Sequence, residues 1–446
     1  MIQNERIRSL NGKTTGSGSY VLYWMQASQR VQHNHALEFA IQQANERSAP
    51  LIVYFGLTDR YPEANKRHYR FMLDGLQELQ ALLRGRKIQM VIRHESPEIG
   101  AVRLSKKAFL VVCDRGYLKI QRSWRIYVAQ HVDCPCIQVE SDAVVPVEEA
   151  SSREEYSAAT LRPKLRRLLP EYLVNVEEHD PKVSSLSFGF DSLNISDIEG
   201  TVAKLDIDRS VKRTDSFHGG ASEAERLLDE FLNKKLDLYP QLRNDPNADC
   251  LSGMSPYLHF GQISPLYIAL KTLETGGPGA EAYLDELIVR RELSINFVFY
   301  NQLYDSFDGL PGWAKRGLLL HEGEPREYNY SLDELERAGT HDPYWNAAQR
   351  EMLLTGKMHG YMRMYWGKKI IEWSATPEEA FHRCLYLNNK YELDGRDPNS
   401  FAGVAWCFGK HDRPWPSRHI FGNVRYMSAD GVKRKFDAGK YAKRYQ

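Results

Sequence analysis

The first 145 residues alternate between two hydrophobic periods. Five short apolar runs rich in β-branched and aromatic residues predict strands: 20–25 (YVLYWM), 51–57 (LIVYFGL), 88–94 (IQMVIRH), 109–114 (FLVVCD) and 136–141 (CIQVES). Helical patterns at 34–48, 67–85, 97–108 and 123–132 lie between them. The clearest is RHYRFMLDGLQELQALLRG, where Phe71, Leu76, Leu79 and Leu83 share one stripe and Gly85 suits the helix end. Nearly continuous apolar strands alternating with helices predict a doubly wound parallel sheet covered on both faces. Such a sheet offers a ligand crevice at the carboxyl ends of its strands. The chain has neither G-x-G-x-x-G after the first strand nor G-x-x-x-x-G-K-[ST] anywhere, so this half alone defines no nucleotide site.

A further helix pattern covers 156–173, and residues 177–220 then turn polar and irregular, as a long surface connection does. From 221 onward helical patterns dominate, at 221–238, 264–274, 280–298, 331–338, 345–355, 358–373 and 377–388. The expected organisation is a mobile leader over 1–19, an α/β domain over 20–150, an interdomain helix and linker over 151–220, and an all-α domain over 221–446.

Composition narrows the class. Hydrophobic residues make up 42% and charged residues 26%, as in a globular protein, and no run approaches the roughly 18 apolar residues of a membrane span. The N-terminus has no apolar signal core, which predicts an intracellular protein, in the cytoplasm and nucleoid or in the nucleus. The six cysteines are scattered, and a lone C-P-C at 134–136 reads as free thiols rather than zinc ligands. HNH at 33–35 reads as a helix start rather than a nuclease motif. Residues 410–446 carry ten Lys/Arg against three acids, a local charge of +7 on a chain of net +1. Residues 410–435, with Trp415, Phe421 and Tyr426, are a candidate phosphate-binding face, whereas the terminal KYAKRYQ reads as a solvated, frayed end.

Four stretches of the second half combine charge with aromatics. LSGMSP (251–256) places two serines and a glycine before helical sequence, suiting either a phosphate or a plain cap. In YLDELIVRRELSINFVFYN, Glu286 and Arg290 stand four apart on an apolar helix, a surface ion pair if exposed and a site if buried. KMHGYMRMYWGKKIIEW places Trp366 and Trp373 seven apart, on nearly one helix face. In LNNKYELDGRDPNSFAGVAWCFGKHDRPW, Asp394, Arg396 and Asp397 mark a structured loop.

These segments, read as SPYLHFGQIS, LDEL, WNAAQ…GKMHGYMRMYW and NNKYELDGRDPN…AGVAW, resemble the DNA photolyase/cryptochrome family. They are most similar to class II cyclobutane pyrimidine dimer photolyases, from about residue 20 to the end. The resemblance implies an α/β N-terminal domain, a linker and a helical domain holding a folded FAD. It implies light-driven repair in which excited reduced FAD lends an electron to a flipped-out thymine dimer in single- or double-stranded DNA. The alternative within the family is a cryptochrome-type blue-light receptor. A second, antenna chromophore, a deazaflavin or a folate, is implied in many relatives, and a monomer without membrane or obligate protein partner is expected.

By motif, Tyr239 and the segment Leu251, Ser252, Gly253, Met254 and Ser255 would hold the FAD phosphates and ribityl chain, with help from Arg291. Arg363 and Asp394 would pair beside the isoalloxazine, near Gly395, Arg396 and Asp397. Asn388 would face flavin N5, where a neutral amide supports the reduced ring without forcing a proton onto it. Met364 would sit where substrate meets cofactor, Glu286 would bond the dimer's carbonyl edge, Trp406 would pack on the flipped bases, and Arg243 would complete the residues acting there. Arg290, Arg413, Trp415 and Arg425 would contact DNA. The chain departs from the other photolyase class, whose lesion-stacking tryptophan is replaced around Val289–Arg290 and whose tryptophan triad is absent. Trp366 and Trp345, with Trp373 as a further neighbour, would carry electrons to oxidised FAD. Lys368 and Lys369 are expected as solvated charges.

Overall fold

The computed structural model describes residues 2–14 and 16–446. Its sheet has strand order β1-β6-β5-β2-β3-β4, with β1 Ile7–Ser9, β2 Tyr20–Trp24, β3 Leu51–Leu57, β4 Gln89–His94, β5 Ala108–Asp114 and β6 Cys136–Val139. All pairings are parallel except that of β1 with β6. Alternation along β2 sorts the two faces: Val21 and Tyr23 enter the core under α1 (His35–Glu46) and α2 (Lys66–Gly85). Tyr20, Leu22 and Trp24 enter the opposite core, under α3 (Pro97–Ser105) and α4 (Lys119–His131). The HNH segment is a helix start: the Asn34 side chain caps α1 by accepting from the Leu37 N–H.

The expected mobile leader is overturned at residues 4–9. β1 adds an antiparallel edge in the register Ile7↔Val139. It is fixed there because the buried Arg6 guanidinium donates to the carbonyls of Glu140, Ala143 and Val144 at 3.2, 3.0 and 2.6 Å. Periodicity over three residues could not announce such a strand. Of the TTGSGS segment, Thr15 lies outside the described residues. The polar stretch 177–220 runs along the other edge, where Leu193 N–H donates to the Ile92 carbonyl at 2.7 Å, so β4 is covered rather than left open.

The second half is helical. Arg67 of α2 ties the halves together, donating to the carbonyls of Met352 at 3.1 Å, Tyr391 at 2.7 Å and Lys212 at 2.9 Å, and also to that of Leu353. Its guanidinium thereby satisfies the last carbonyls of two helices, Pro343–Thr355 and Pro377–Tyr391. The chain end is not frayed: Ala438–Arg444 is a helix, and buried Tyr441 donates its hydroxyl to Glu351 at 2.6 Å. The expected loop after Asp394 is a helix, Pro398–Cys407, capped by the Asp397 side chain. All six cysteines are free and buried.

Candidate active site

A cleft opens in the helical half between three elements. The turn Asp285–Arg290 has π-helical geometry and leads into the helix Arg291–Tyr300. This widened turn breaks the expected Glu286–Arg290 pairing and presents both side chains to the cleft, a use typical of π-bulges. Gly360, Arg363 and Met364 of the helix Gly360–Trp373 form a second wall. Asn399, Ala402, Gly403 and Trp406 of the Pro398–Cys407 helix form the third, and His411 lies beyond.

At the mouth, Glu286 accepts from Arg243 Nη1 at 2.6 Å, and the Arg243 guanidinium lies 5.7 Å from the Tyr239 ring centre. The Arg290 guanidinium lies 5.7 Å from the ring centre of Trp406, whose indole is 36% exposed and therefore available to stack on a planar ligand. Tyr239 packs edge-on to Tyr283. Gly253 has φ +69°, a left-handed conformation that suits glycine, while Leu251 is exposed and Met254 is core.

Arg363 belongs to a charge quartet in which the carboxylates of Glu392 and Asp394 are buried and the cations of Lys357 and Arg363 half-buried. Arg363 pairs with Glu392 at 3.0 Å, and Lys357 pairs with Asp394 at 2.6 Å. The direct Arg363–Asp394 pair expected from the resemblance is thus replaced by crossed partners, because Glu392 reaches Arg363 and Lys357 reaches Asp394. Burial pushes Asp394 up, but Lys357 and Arg363 more than offset it and hold it below the usual carboxylate range. His359 is buried and held neutral, pushed down to about 4 by desolvation, and its Nδ1 accepts from the Tyr361 N–H.

The structure redistributes several other expected residues. Asn388 is buried on the Pro377–Tyr391 helix and donates to Ser400 Oγ of the Pro398–Cys407 helix, whose other face lines the cleft. The amide in the cleft is Asn399, which sequence reasoning missed. Its signal was its place two residues after the capping Asp397, in the first turn of a helix read as a loop. Arg291 is buried and donates to the Asp142 carbonyl at 2.6 Å, so it faces the sheet domain. Arg396 has φ +67° and turns its guanidinium to the Asn389 carbonyl at 2.7 Å and to His68 of α2, while Gly395 packs against the Asn389 backbone. Asp397 takes His259 Nδ1 at 3.3 Å.

The three tryptophans form a ring chain. Trp366 and Trp345 stack at 6.3 Å with an interplanar angle of 6°, and Trp345 meets Trp373 edge-on at 5.6 Å. Trp373 continues to Tyr330 at 5.2 Å and His341 at 5.4 Å, near partly exposed Tyr328. Lys368 and Lys369 are not solvated. The Lys368 ammonium is buried, donates to the Cys407 carbonyl and is lowered to about 8 by burial. Lys369 pairs with Glu372 at 2.7 Å against the rings of Tyr365, Trp373 and Tyr426.

In the basic segment, exposed Arg413 and Arg425 flank Trp415, with guanidinium-to-ring distances of 5.4 and 5.2 Å. A separate cavity lies between the halves at the carboxyl ends of β2 and β3. It is lined by Gln26, Gln29, Thr58, Tyr61, Trp124, His259 and Arg396, and Gln26 and Gln29 carry buried side-chain atoms without partners.

A doubly wound sheet domain joined by a strap to a helical domain with a central cleft is a photolyase-type fold. The crystal structure of a class III photolyase from Agrobacterium tumefaciens superposes with a TM-score of 0.72 at 17% identity, covering 97% of this chain and 87% of that one. A family model described as DNA photolyase matches residues 21–183. Relatives named deoxyribodipyrimidine photo-lyase extend over nearly the whole chain. That of Methanothermobacter thermautotrophicus is 54% identical, covering 100% of this chain and 98% of its own. Those of Arabidopsis thaliana and Potorous tridactylus are 40% and 37% identical, covering 94% and 95% of this chain and 88% and 80% of their own. The chain belongs to the DNA photolyase family, in the group of deoxyribodipyrimidine photo-lyases.

Proposed function

We propose that the protein repairs cyclobutane pyrimidine dimers in DNA by light-driven electron transfer, with FAD in the helical half. The observation that carries this reading is the cleft itself, lined by Glu286, Arg363, Met364 and Trp406, in a chain 54% identical over its full length to a protein of that name. The cryptochrome reading is disfavoured because the full-length relatives share the photo-lyase name.

The residues present fit FAD. Arg363 Nε, in the cleft wall, is buried without a hydrogen-bond partner, as are His359 Nε2 and Glu392 Oε2. Ser252, Ser255 and Lys357 supply donors of the kind a diphosphate takes. When bound in its reduced form, the cofactor supplies the photoexcited electron. Arg363 would then fix the ring's polar edge, Asn388 would face flavin N5 with Asn399 in the cleft wall nearby, Tyr239 and the 251–255 segment would hold the phosphates, and Met364 would separate ring from lesion.

Glu286, steered by Arg243, would bond the dimer's carbonyl edge and bear on the charge that develops there. Trp406 would stack on the extruded bases, whose poor stacking makes flipping cheap. Arg290, Arg413 and Arg425 would neutralise phosphates, and Trp415 would fill the gap left in the duplex. Trp366, Trp345 and Trp373 would refill oxidised cofactor from the surface. The cavity between the halves would hold a planar antenna chromophore against Trp124 and Tyr61. The protein would act as a monomer on intracellular DNA. The test is purification with flavin absorbance, followed by illumination with dimer-containing DNA. A folded protein that takes up no flavin overturns the reading.

A further inference from the structure

We propose that Glu392 is a redox-linked proton acceptor: its carboxylate takes up a solvent proton when negative charge forms on the cofactor, and so sets the pH dependence of the cofactor's reduction potential. The inference rests on the FAD reading above and gives Glu392 a role in proton uptake that the reading does not assign.

Glu392 is buried, and its two oxygens are unequal. Oε1 accepts from the Met358 N–H at 3.1 Å and is ion-paired with Arg363 Nη2 at 3.0 Å. Oε2 has no hydrogen bond and meets only the Lys357 ammonium at 3.5 Å. Its neighbour Asp394 is bonded by Lys357 at 2.6 Å, so a proton arriving in this cluster meets least opposition at Glu392 Oε2.

The other charges facing it are few. Lys357 and Arg363 stand against Asp394 and Glu392, so the quartet is neutral when all four are ionised. Glu351 approaches from the Pro343–Thr355 helix and Arg67 from α2, and His68 Nε2 lies 3.0 Å from the Glu392 carbonyl. Burial lowers His68 well below its ordinary value, leaving it neutral. Burial, opposed by Arg363 and Lys357, pushes Glu392 up to about 7, where a modest new field decides its state.

Arg363 carries the coupling, since it both pairs with Glu392 and lines the cleft. An anion formed in the cleft draws on the Arg363 charge and so removes stabilisation from the ionised Glu392. Protonating Glu392 leaves the quartet at +1, opposite that anion. In the balanced step an added reductant supplies two electrons to the flavin, which binds one proton itself. A second proton, from solvent, forms one O–H bond on Glu392. No other bond changes.

The experiment is a potentiometric titration of the flavin-loaded full-length protein from pH 6 to 9, wild type against Glu392→Gln. Each proton linked to a two-electron couple changes its equilibrium constant tenfold per pH unit, about 30 mV. Wild type is expected to exceed the variant's slope by that amount just above pH 7, and equal slopes overturn the inference. Should the variant fold poorly, the wild type alone decides. Its reduced-minus-oxidised infrared spectrum should gain a protonated-carboxyl C=O band that shifts on ¹³C-glutamate labelling, and an unchanged carboxyl region overturns the proposal. A folded protein that cannot be loaded with flavin overturns the cofactor reading and this inference together, whereas loaded protein with equal slopes overturns the inference alone.

Discussion

Trp366→Phe separates what the indole does for the fold from what it does for electron flow. The ring is buried, and its Nε1 donates to Gln349 Oε1 at 2.8 Å. Phenylalanine removes that donor and leaves the Gln349 carbonyl oxygen buried without it, which costs about 1–3 kcal/mol. Shrinking indole to phenyl leaves a small void costing roughly another 1–2 kcal/mol. Trp373→Phe is the internal control. Among the described residues its indole N–H has no hydrogen-bond acceptor, so only the packing cost applies, about 1–2 kcal/mol. Denaturant midpoints should therefore rank wild type above Trp373→Phe above Trp366→Phe. Both variants should lose photoreduction of oxidised flavin while keeping repair by chemically reduced protein. Wild-type photoreduction in Trp366→Phe would refute the wire and return this ring to the core. Equal destabilisation of the two variants would refute the role given to Gln349.

Glu286→Ala should lower repair per absorbed photon while DNA binding survives, because the residue acts on the lesion rather than on the duplex; an unchanged quantum yield counts against it. Arg413→Ala and Arg425→Ala should each weaken binding to all sequences and shallow the dependence of log affinity on log salt by about one charge, read by fluorescence anisotropy at several salt concentrations; an unchanged slope removes them from the DNA face. Glu292 is buried where the helical half meets the sheet half, accepting from the Val144 N–H at 2.6 Å and pushed up to about 8 chiefly by burial. A raised folded pKa means its contribution is complete below the ordinary carboxylate range and is lost as pH rises to about 8, an effect of roughly 3–5 kcal/mol. Glu292→Gln should thus gain stability relative to wild type between pH 5 and 8.5, and a gap that does not change with pH contradicts this.

The fold was largely legible where hydrophobic period and length agreed. The five apolar runs became β2 to β6, and the stripe of Phe71, Leu76, Leu79 and Leu83 became α2. Short or tertiary-dependent elements were not. β1 depends on Arg6 finding three carbonyls 134 to 138 residues away, and the final helix depends on Tyr441 reaching Glu351. Family motifs located the cleft but not every side chain in it. Asn388 and Asn399 are both amides in the same motif, and it takes the packing to show that Asn388 also bonds Ser400 Oγ while Asn399 lines the cleft. Lys368 looked like a solvent charge because lysine usually is one. It is buried because it satisfies the end of the Pro398–Cys407 helix, a partner invisible in local sequence. The π-helical turn at Asp285–Arg290 likewise undid a simple four-residue spacing.

The central claim is that this cleft repairs pyrimidine dimers with light. Reduced, flavin-loaded protein mixed with an oligonucleotide carrying one thymine dimer should restore thymine absorbance under illumination and not in the dark, with a lower yield per photon for Glu286→Ala. Loaded, reduced protein that binds the oligonucleotide yet restores no absorbance in the light would contradict it.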